Sequence, residues 1–189
     1  DKFKSKISGV DFKDDLSFPR FNEIDFHCGL FYEQKTLEEN SYDLITMWHF
    51  LEHDYDPMAS LAKAKSLLKP NGKLIIEVPR LDSVSYRLFK NKWPGVQAPQ
   101  HTIMFDKVHF IKMAEKAGYK VSTYLPYGAF PSYFYLFAGS YFKLIGKGMN
   151  LDKAIIPYFL GQLLLMPVLL FEKHLNLAMQ TIVCERMDS

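Results

Sequence analysis

An alternation of short apolar runs with turns and helical patterns constrains this chain more than any other feature. Tyr42-Asp43-Leu44-Ile45-Thr46-Met47-Trp48 is apolar and β-prone, as expected of a strand buried on both faces. Asp56-Pro57 starts a helix with proline in its first turn, and Lys69-Pro70-Asn71-Gly72 ends it with a turn. Lys73 to Val78 is a second buried strand, stopped by Pro79. Phe105-Asp106 opens another helix, with Asp106 as N-cap and Gly118 as its stop, and Tyr119 to Tyr124 follows as a strand. Upstream, Lys6 to Asp11 and Glu23 to Gly29 read as strands. Such alternation implies an α/β, Rossmann-like fold: a mainly parallel sheet with helices on both faces. Beyond Tyr124 the pattern changes. Phe130 to Ile145 and Ile155 to Leu175 are long apolar helical stretches, and Asn176 to Arg186 is a final strand. Residues 130–175 therefore form a helical insertion before the last strand of a single domain spanning residues 1–189.

Charge and cysteine usage narrow the function classes. The net charge of +2 gives no electrostatic basis for binding nucleic acid. Cys28 and Cys184 lie far apart without metal-like spacing, which points to a reduced, cytoplasmic protein. Asp1-Lys2-Phe3-Lys4 is not a signal peptide, because no apolar stretch follows it.

Several segments resemble class I S-adenosylmethionine-dependent methyltransferases. Residues 42–53, ending Trp48-His49-Phe50-Leu51-Glu52-His53, look like the family's fourth strand and the loop after it. They are most similar to the subgroup with a Leu-Glu-His signature, which includes quinone-biosynthesis O-methyltransferases. Leu67-Leu68-Lys69-Pro70-Asn71-Gly72-Lys73-Leu74 resembles the turn into strand five, with Asn71 replacing a glycine. Glu77-Val78-Pro79-Arg80 resembles the end of that strand. Pro99-Gln100-His101 with Phe105, and Ala117-Gly118-Tyr119, resemble the flanks of the next helix. The segments run in order over residues 5–124. The resemblance implies methyl transfer with S-adenosylmethionine as cofactor.

One departure accompanies the match. The family carries a glycine-rich loop after strand one, whose backbone approaches the methionine part of the cofactor. Here Gly9-Val10-Asp11 matches the end of strand two, and only ten residues precede Asp11. The expectation is a domain that is incomplete at its N-terminus, lacking a strand that lies mid-sheet. Three repairs follow: a preceding segment supplies the strand, another chain supplies it, or residues 6–11 pair beside Tyr42–Trp48. Gly146-Lys147-Gly148 follows an apolar helix and reads as a turn.

The candidate site residues are few. By the resemblance, Asp11 accepts hydrogen bonds from the ribose hydroxyls; locally it reads as a solvated turn residue. Phe12 lies beside adenine or belongs to the core. Gly29 allows backbone approach to adenine or serves a plain turn. Trp48 and His49 sit where the family's loop passes beneath the cofactor, at the carboxyl end of a parallel strand. His101 is a candidate general base for an oxygen acceptor, or an anchor for its loop. Trp93 and Tyr86 line an acceptor pocket or pack in the core.

His49-Phe50-Leu51-Glu52-His53 also matches the inverted zinc-peptidase pattern, but that motif needs a helix, and here it follows a strand directly. Related quinone O-methyltransferases hold a divalent metal with acidic and histidine residues at this point; for Glu52 and His53 capping and packing roles are preferred, and no metal is expected.

The apolar stretch from Ala154 to Phe171 is nearly as long as a bilayer span, which needs about 20 residues, but Pro157, Gly161, Gln162 and Pro167 interrupt it. The chain must also return to the sheet at Leu177. A cap over the sheet or a homodimer contact is preferred to a surface that meets membrane or a lipid-linked acceptor. The partners expected are therefore a small-molecule, sugar or lipid-linked acceptor and no nucleic acid. The rival readings are a degenerate, non-catalytic interaction protein on this fold and an NAD-linked oxidoreductase. The Leu51-Glu52-His53 and Leu-Leu-Lys-Pro segments argue against the second.

Overall fold

The computed structural model describes residues 5–12, 24–146 and 151–187. Asp1 to Lys4, Glu23, and Lys147 and Gly148 of the glycine pair lie outside the described residues. The elements are strands β1 (Ser8–Asp11), β2 (Asp25–Cys28) and β3 (Tyr42–Trp48), helix α1 (Pro57–Leu67), β4 (Leu68–Pro79), α2 (Val84–Phe89), α3 (Lys107–Lys116), β5 (Tyr119–Leu125), α4 (Ser132–Ile145), α5 (Leu151–Leu169) and β6 (Met179–Arg186).

Local chemistry explains most of the boundaries. The Asp56 carboxylate accepts the Ala59 N–H at 2.9 Å to cap α1, and Asp106 accepts the His109 N–H at 2.8 Å to cap α3. Gly118 closes α3 at φ +84°. The turn Lys69–Gly72 is absorbed into β4 as a bulge: the β3–β4 register jumps from Tyr42–Leu68 to Leu44–Lys73. A Cβ on Gly72 would lie 2.8 Å from the Tyr42 carbonyl, so only glycine lets the backbones approach there.

Two sheets form. β1 and β2 pair in parallel, and a separate sheet has the order β3-β4-β6-β5. This main sheet is mixed: β3 and β4 pair in parallel, while β6 runs antiparallel to both of its neighbours. The expectation of a mainly parallel sheet is corrected accordingly. The last strand enters between β4 and β5, opposite in direction to both. Nor is β3 covered on both faces. Met47 is buried, but Leu44 and Trp48, on the opposite face, are 51% and 48% exposed. The pairing of residues 6–11 beside Tyr42–Trp48 does not form: among the described strands β1 pairs with β2 alone. The Tyr42 hydroxyl nonetheless reaches Ser8 Oγ, at 3.3 Å.

The main core gathers Leu74, Ile76 and Val78 of β4 with Leu61 of α1, Phe110 of α3 and Ile182 of β6. A second cluster, around Trp93, joins Phe89 of α2, Tyr135 of α4 and Met179 of β6. Helix α4 packs on α2, and α5 on α4. No helix among the described residues is long and apolar enough to cross a membrane.

Candidate active site

The carboxyl ends of β3 and β4 carry a buried charged group. His49 follows β3 in a left-handed conformation, φ +49°, which turns its ring back over the sheet. Its N–H donates to the Glu77 carbonyl at 3.1 Å. Its Nδ1 lies 3.2 Å from Glu52 Oε1, and its Nε2 lies 3.3 Å from Glu77 Oε1. Both carboxylates are 1% exposed. Burial by itself would lower the imidazole pKa, but the hydrogen bond to Glu52 and the neighbouring Glu77 carboxylate outweigh it and carry it up to about 9. His49 is therefore a cation at neutral pH, held from both sides.

Glu77 is the anchor of this group. It interrupts the apolar run Leu74-Ile75-Ile76 and faces the segment before α4. Its Oε2 accepts the Ala129 N–H at 2.6 Å, its Oε1 accepts the Phe130 N–H at 3.1 Å, and the Thr181 hydroxyl lies 3.4 Å from Oε2. Burial opposes ionisation of Glu77, but the adjacent His49 and the hydrogen bonds from Ala129 and Phe130 prevail and lower its pKa. Gly128 lies against the carboxylate so closely that a Cβ would collide with it. Phe130 then stands edge-on to His49, with ring centroids 5.1 Å apart.

His101 lies on the other side of Glu52. Its Nδ1 donates to the Gly95 carbonyl at 2.7 Å, and His53 Nδ1 donates to the Gln100 carbonyl at 3.0 Å. Each ring is thus oriented through its Nδ1. The two rings meet edge to face at 4.5 Å. Burial lowers the His101 pKa, partly offset by the Gly95 hydrogen bond, so its imidazole is neutral at pH 7. Thr102 fixes this loop to the neighbouring one by donating to the Glu52 and Asp54 carbonyls, at 3.2 and 2.8 Å. Ligand atoms of Glu52, His53 and His101 lie within 4.8 Å of one another, and Glu52 Oε2 is buried without a hydrogen-bond partner. Two imidazoles oriented by carbonyls and one carboxylate can hold a divalent cation or, without one, a proton. His101 joins Glu52 and His53 only in space, since it lies 48 residues beyond His53 in the chain.

Of the other candidates, Asp11 and Phe12 lie at the exposed end of β1, with Phe12 67% exposed. Gly29 sits beside them: its N–H donates to the Asp11 carbonyl at 2.8 Å and its φ is +121°. Trp48 ends β3 with its ring half open to solvent. Trp93 is core: it is buried, its Nε1 donates to Ser85 Oγ at 2.9 Å, and Tyr86 and Tyr135 pack on it. A polar surface cleft of about 770 Å³ between Tyr32, Glu39 and Lys63 includes none of the sequence-derived candidates. Sequence reasoning missed Glu77 as a site residue, although a lone carboxylate inside an apolar strand is itself a signal.

The His49 group makes stability depend on pH in a defined direction. Its folded pKa is raised, so its contribution is whole below the ordinary value of 6.5 and is lost as pH rises through about 9. Glu77, with a lowered pKa, contributes above its ordinary 4.5 and loses that contribution as acid titrates it. Thermal midpoints measured across pH should therefore fall between pH 6.5 and 9, and a His49→Gln protein should lack that alkaline decline. An equal decline in both proteins would mean that another group causes it.

Comparison with known proteins adds three findings. The family model described as a methyltransferase domain matches residues 2–124. No curated protein matches the chain. Solved structures with the same fold include an S-adenosylmethionine-dependent methyltransferase from Thermotoga maritima, at 21% identity and TM-score 0.52, covering 63% of this chain and 56% of its own. The 1,6-didemethyltoxoflavin-N1-methyltransferase of Burkholderia thailandensis, bound to its substrate and S-adenosylhomocysteine, is 12% identical with TM-score 0.55, covering 97% and 62%. The phosphoethanolamine N-methyltransferase 2 of Haemonchus contortus is 14% identical with TM-score 0.60, covering 99% and 44%. The chain thus spans about half of these proteins' lengths, and at such identities the likeness concerns the fold.

Proposed function

Because the chain belongs to the methyltransferase domain family, we propose that the full-length protein transfers a methyl group from S-adenosylmethionine to a small-molecule, sugar or lipid-linked acceptor. The observation that carries this reading is the His49–Glu52–Glu77 group at the carboxyl ends of β3 and β4, where ligands of open α/β sheets bind.

The residues fit the cofactor in two parts. For the adenosine half, β1 and β2 end side by side, with Asp11 opposite Cys28. Asp11 would hold the ribose hydroxyls, Phe12 would flank adenine, and Gly29, without a side chain, would let the backbone approach. For the charged half, one imidazolium between two carboxylates leaves a net negative charge in a half-buried place, which favours a cation over a neutral thioether. Trp48 would border it with its open face. S-Adenosylmethionine, when bound, supplies an electrophilic methyl group on a sulfonium. His101, neutral and with Nε2 free, would take the proton of an oxygen acceptor, and Glu52 would hold His49 on one side and face His101 on the other.

The glycine-rich loop of the family is not among these residues. β1 and β3 each leave one edge unpaired by any described strand. A further strand between them, from adjoining chain or from another polypeptide, would unite the two sheets and bring such a loop over His49.

Calorimetric titration of the full-length protein with S-adenosylmethionine and with NAD tests the reading. Binding of the first alone is expected. Asp11→Ala should weaken it by about 1.5–3 kcal/mol, as for hydrogen bonds to a charged group, and leave the fold intact because Asp11 is exposed. Tight NAD binding without response to the sulfonium would overturn the cofactor, and an unchanged Asp11→Ala protein would return Asp11 to a turn. Absence of any binding would favour the non-catalytic interaction protein. The acceptor follows from transfer of a labelled methyl group into small-molecule and lipid fractions.

A further inference from the structure

Helix α5 is apolar almost all round, a pattern found in helices that are covered on every side. It is not covered by this chain. Its inner stripe, Ala154, Tyr158, Gly161 and Leu165, meets α4, where the Tyr133 hydroxyl donates to the Tyr158 carbonyl at 2.8 Å. Its other sides are bare: Ile156 is 71% exposed, Leu163 67% and Leu164 78%. Leu144, near the end of α4, is 83% exposed. The surface continues into an apolar groove of about 450 Å³ between α2, α4 and α5, lined by Leu88, Phe137, Leu164 and Val168 among others. Exposed patches of this extent mark an interaction surface.

The rim of this surface is basic. Among the described side chains of residues 83–105 and 126–176, Arg87, Lys90, Lys92, Lys143 and Lys173 stand against Glu172 alone. The whole chain is only +2, so the remainder is net acidic and the basic excess is concentrated here. Arg87, Lys90, Lys92, Lys143 and Lys173 are exposed.

We propose that the α4–α5 face docks on the surface of an anionic phospholipid bilayer, with α5 lying in the plane of the headgroups and its leucines in the acyl boundary. Charge selects this occupant. A second copy meeting the face about a two-fold axis would set the basic rim against itself, whereas an anionic leaflet supplies the opposite charge. Length selects the mode. The helix is roughly 28 Å at about 1.5 Å per residue, and no helix among the described residues qualifies as a span. Its inner stripe stays on α4 while its outer leucines face the acyl boundary, and the exposed Lys143 of α4 and Lys173 beyond α5 are available to the headgroups. Helix α4 begins just after Phe130, which meets His49 edge-on, so docking would bring the candidate site close to the bilayer. The proposal stands independently of methyl transfer.

The test is co-sedimentation of the full-length protein with vesicles of phosphatidylcholine alone and of phosphatidylcholine mixed with phosphatidylglycerol. Binding to the mixed vesicles, weakened by salt, is expected. Lys143→Gln with Lys173→Gln should weaken it by about fivefold for each lysine. A Leu160→Ser, Leu163→Ser, Leu164→Ser protein should lose it by at least about tenfold with an unchanged unfolding curve, because all three side chains are exposed. Equal binding to both vesicle types, no binding to either, or undiminished binding by the serine protein would overturn the proposal. So would a dimer, seen by light scattering, that the serine changes dissociate while vesicles capture nothing.

Discussion

Replacing Glu77 with Ala will lower the free energy of unfolding by about 3–5 kcal/mol, the range for removing one partner of a buried ion pair. The side chain is 1% exposed and does three things at once. It balances the His49 cation, accepts the Ala129 and Phe130 N–H groups, and receives the Thr181 hydroxyl. Its removal leaves a half-buried cation facing Glu52 alone and two backbone donors without an acceptor. Water cannot easily take its place, since Gly128 lies directly on the carboxylate and Phe130 covers the imidazole. Glu77→Gln keeps the volume and one acceptor but not the charge, and should fall between the two. Against a total stability of roughly 5–15 kcal/mol, the Ala protein would be marginal. Urea unfolding measures this directly. A loss below about 1 kcal/mol, the worth of an ordinary neutral hydrogen bond, would mean that His49 is not a cation in the folded protein.

The second large effect concerns catalysis. With the acceptor identified by label transfer, His101→Ala should lower kcat by about 10²–10⁴-fold, the usual contribution of a positioned general base. The acceptor KM should change less, because the base acts on a proton in flight rather than on ground-state binding. The pH–rate profile carries a separate signature. Burial lowers the His101 pKa, so the rate should stay level through neutrality and fall only in acid, below the ordinary histidine value. His101→Gln should remove that acid limb, while the hydrogen bonds of Thr102 to the Glu52 and Asp54 carbonyls still hold the loop. Full activity in His101→Gln would leave His101 as a loop anchor, tied to the Gly95 carbonyl.

These two experiments probe residues that were unequally visible beforehand. His101 could be singled out from the run Pro99-Gln100-His101, although its neighbours His53 and Glu52 become part of its surroundings only in space. Glu77 reads from the sequence only as part of the end of a strand. Its partners are the reason: His49 lies 28 residues upstream, and Ala129 and Phe130 lie 52 and 53 residues downstream. No periodicity spans such separations. Asp11, Phe12 and Gly29 lie together where β1 and β2 end side by side, a neighbourhood that parallel pairing creates.

What the sequence by itself determined is what acts over a few residues. The caps at Asp56 and Asp106 and the stop at Gly118 depend on contacts within one turn, and α1 and α3 lie where those signals put them. The apolar strand runs and the apolar helices likewise announce themselves by composition and period. What only the tertiary structure decided is how these pieces face one another. Strand direction and neighbour are chosen by which edges remain open, and so β6 runs antiparallel between β4 and β5. Leu44 and Trp48 read as buried because their residue types are apolar, yet burial depends on what lies opposite, and nothing described covers that face. The charge on His49 was decided in the same way. An imidazole alone titrates near 6.5, and only the convergence of two carboxylates from different parts of the chain, held where water is scarce, carries it to about 9.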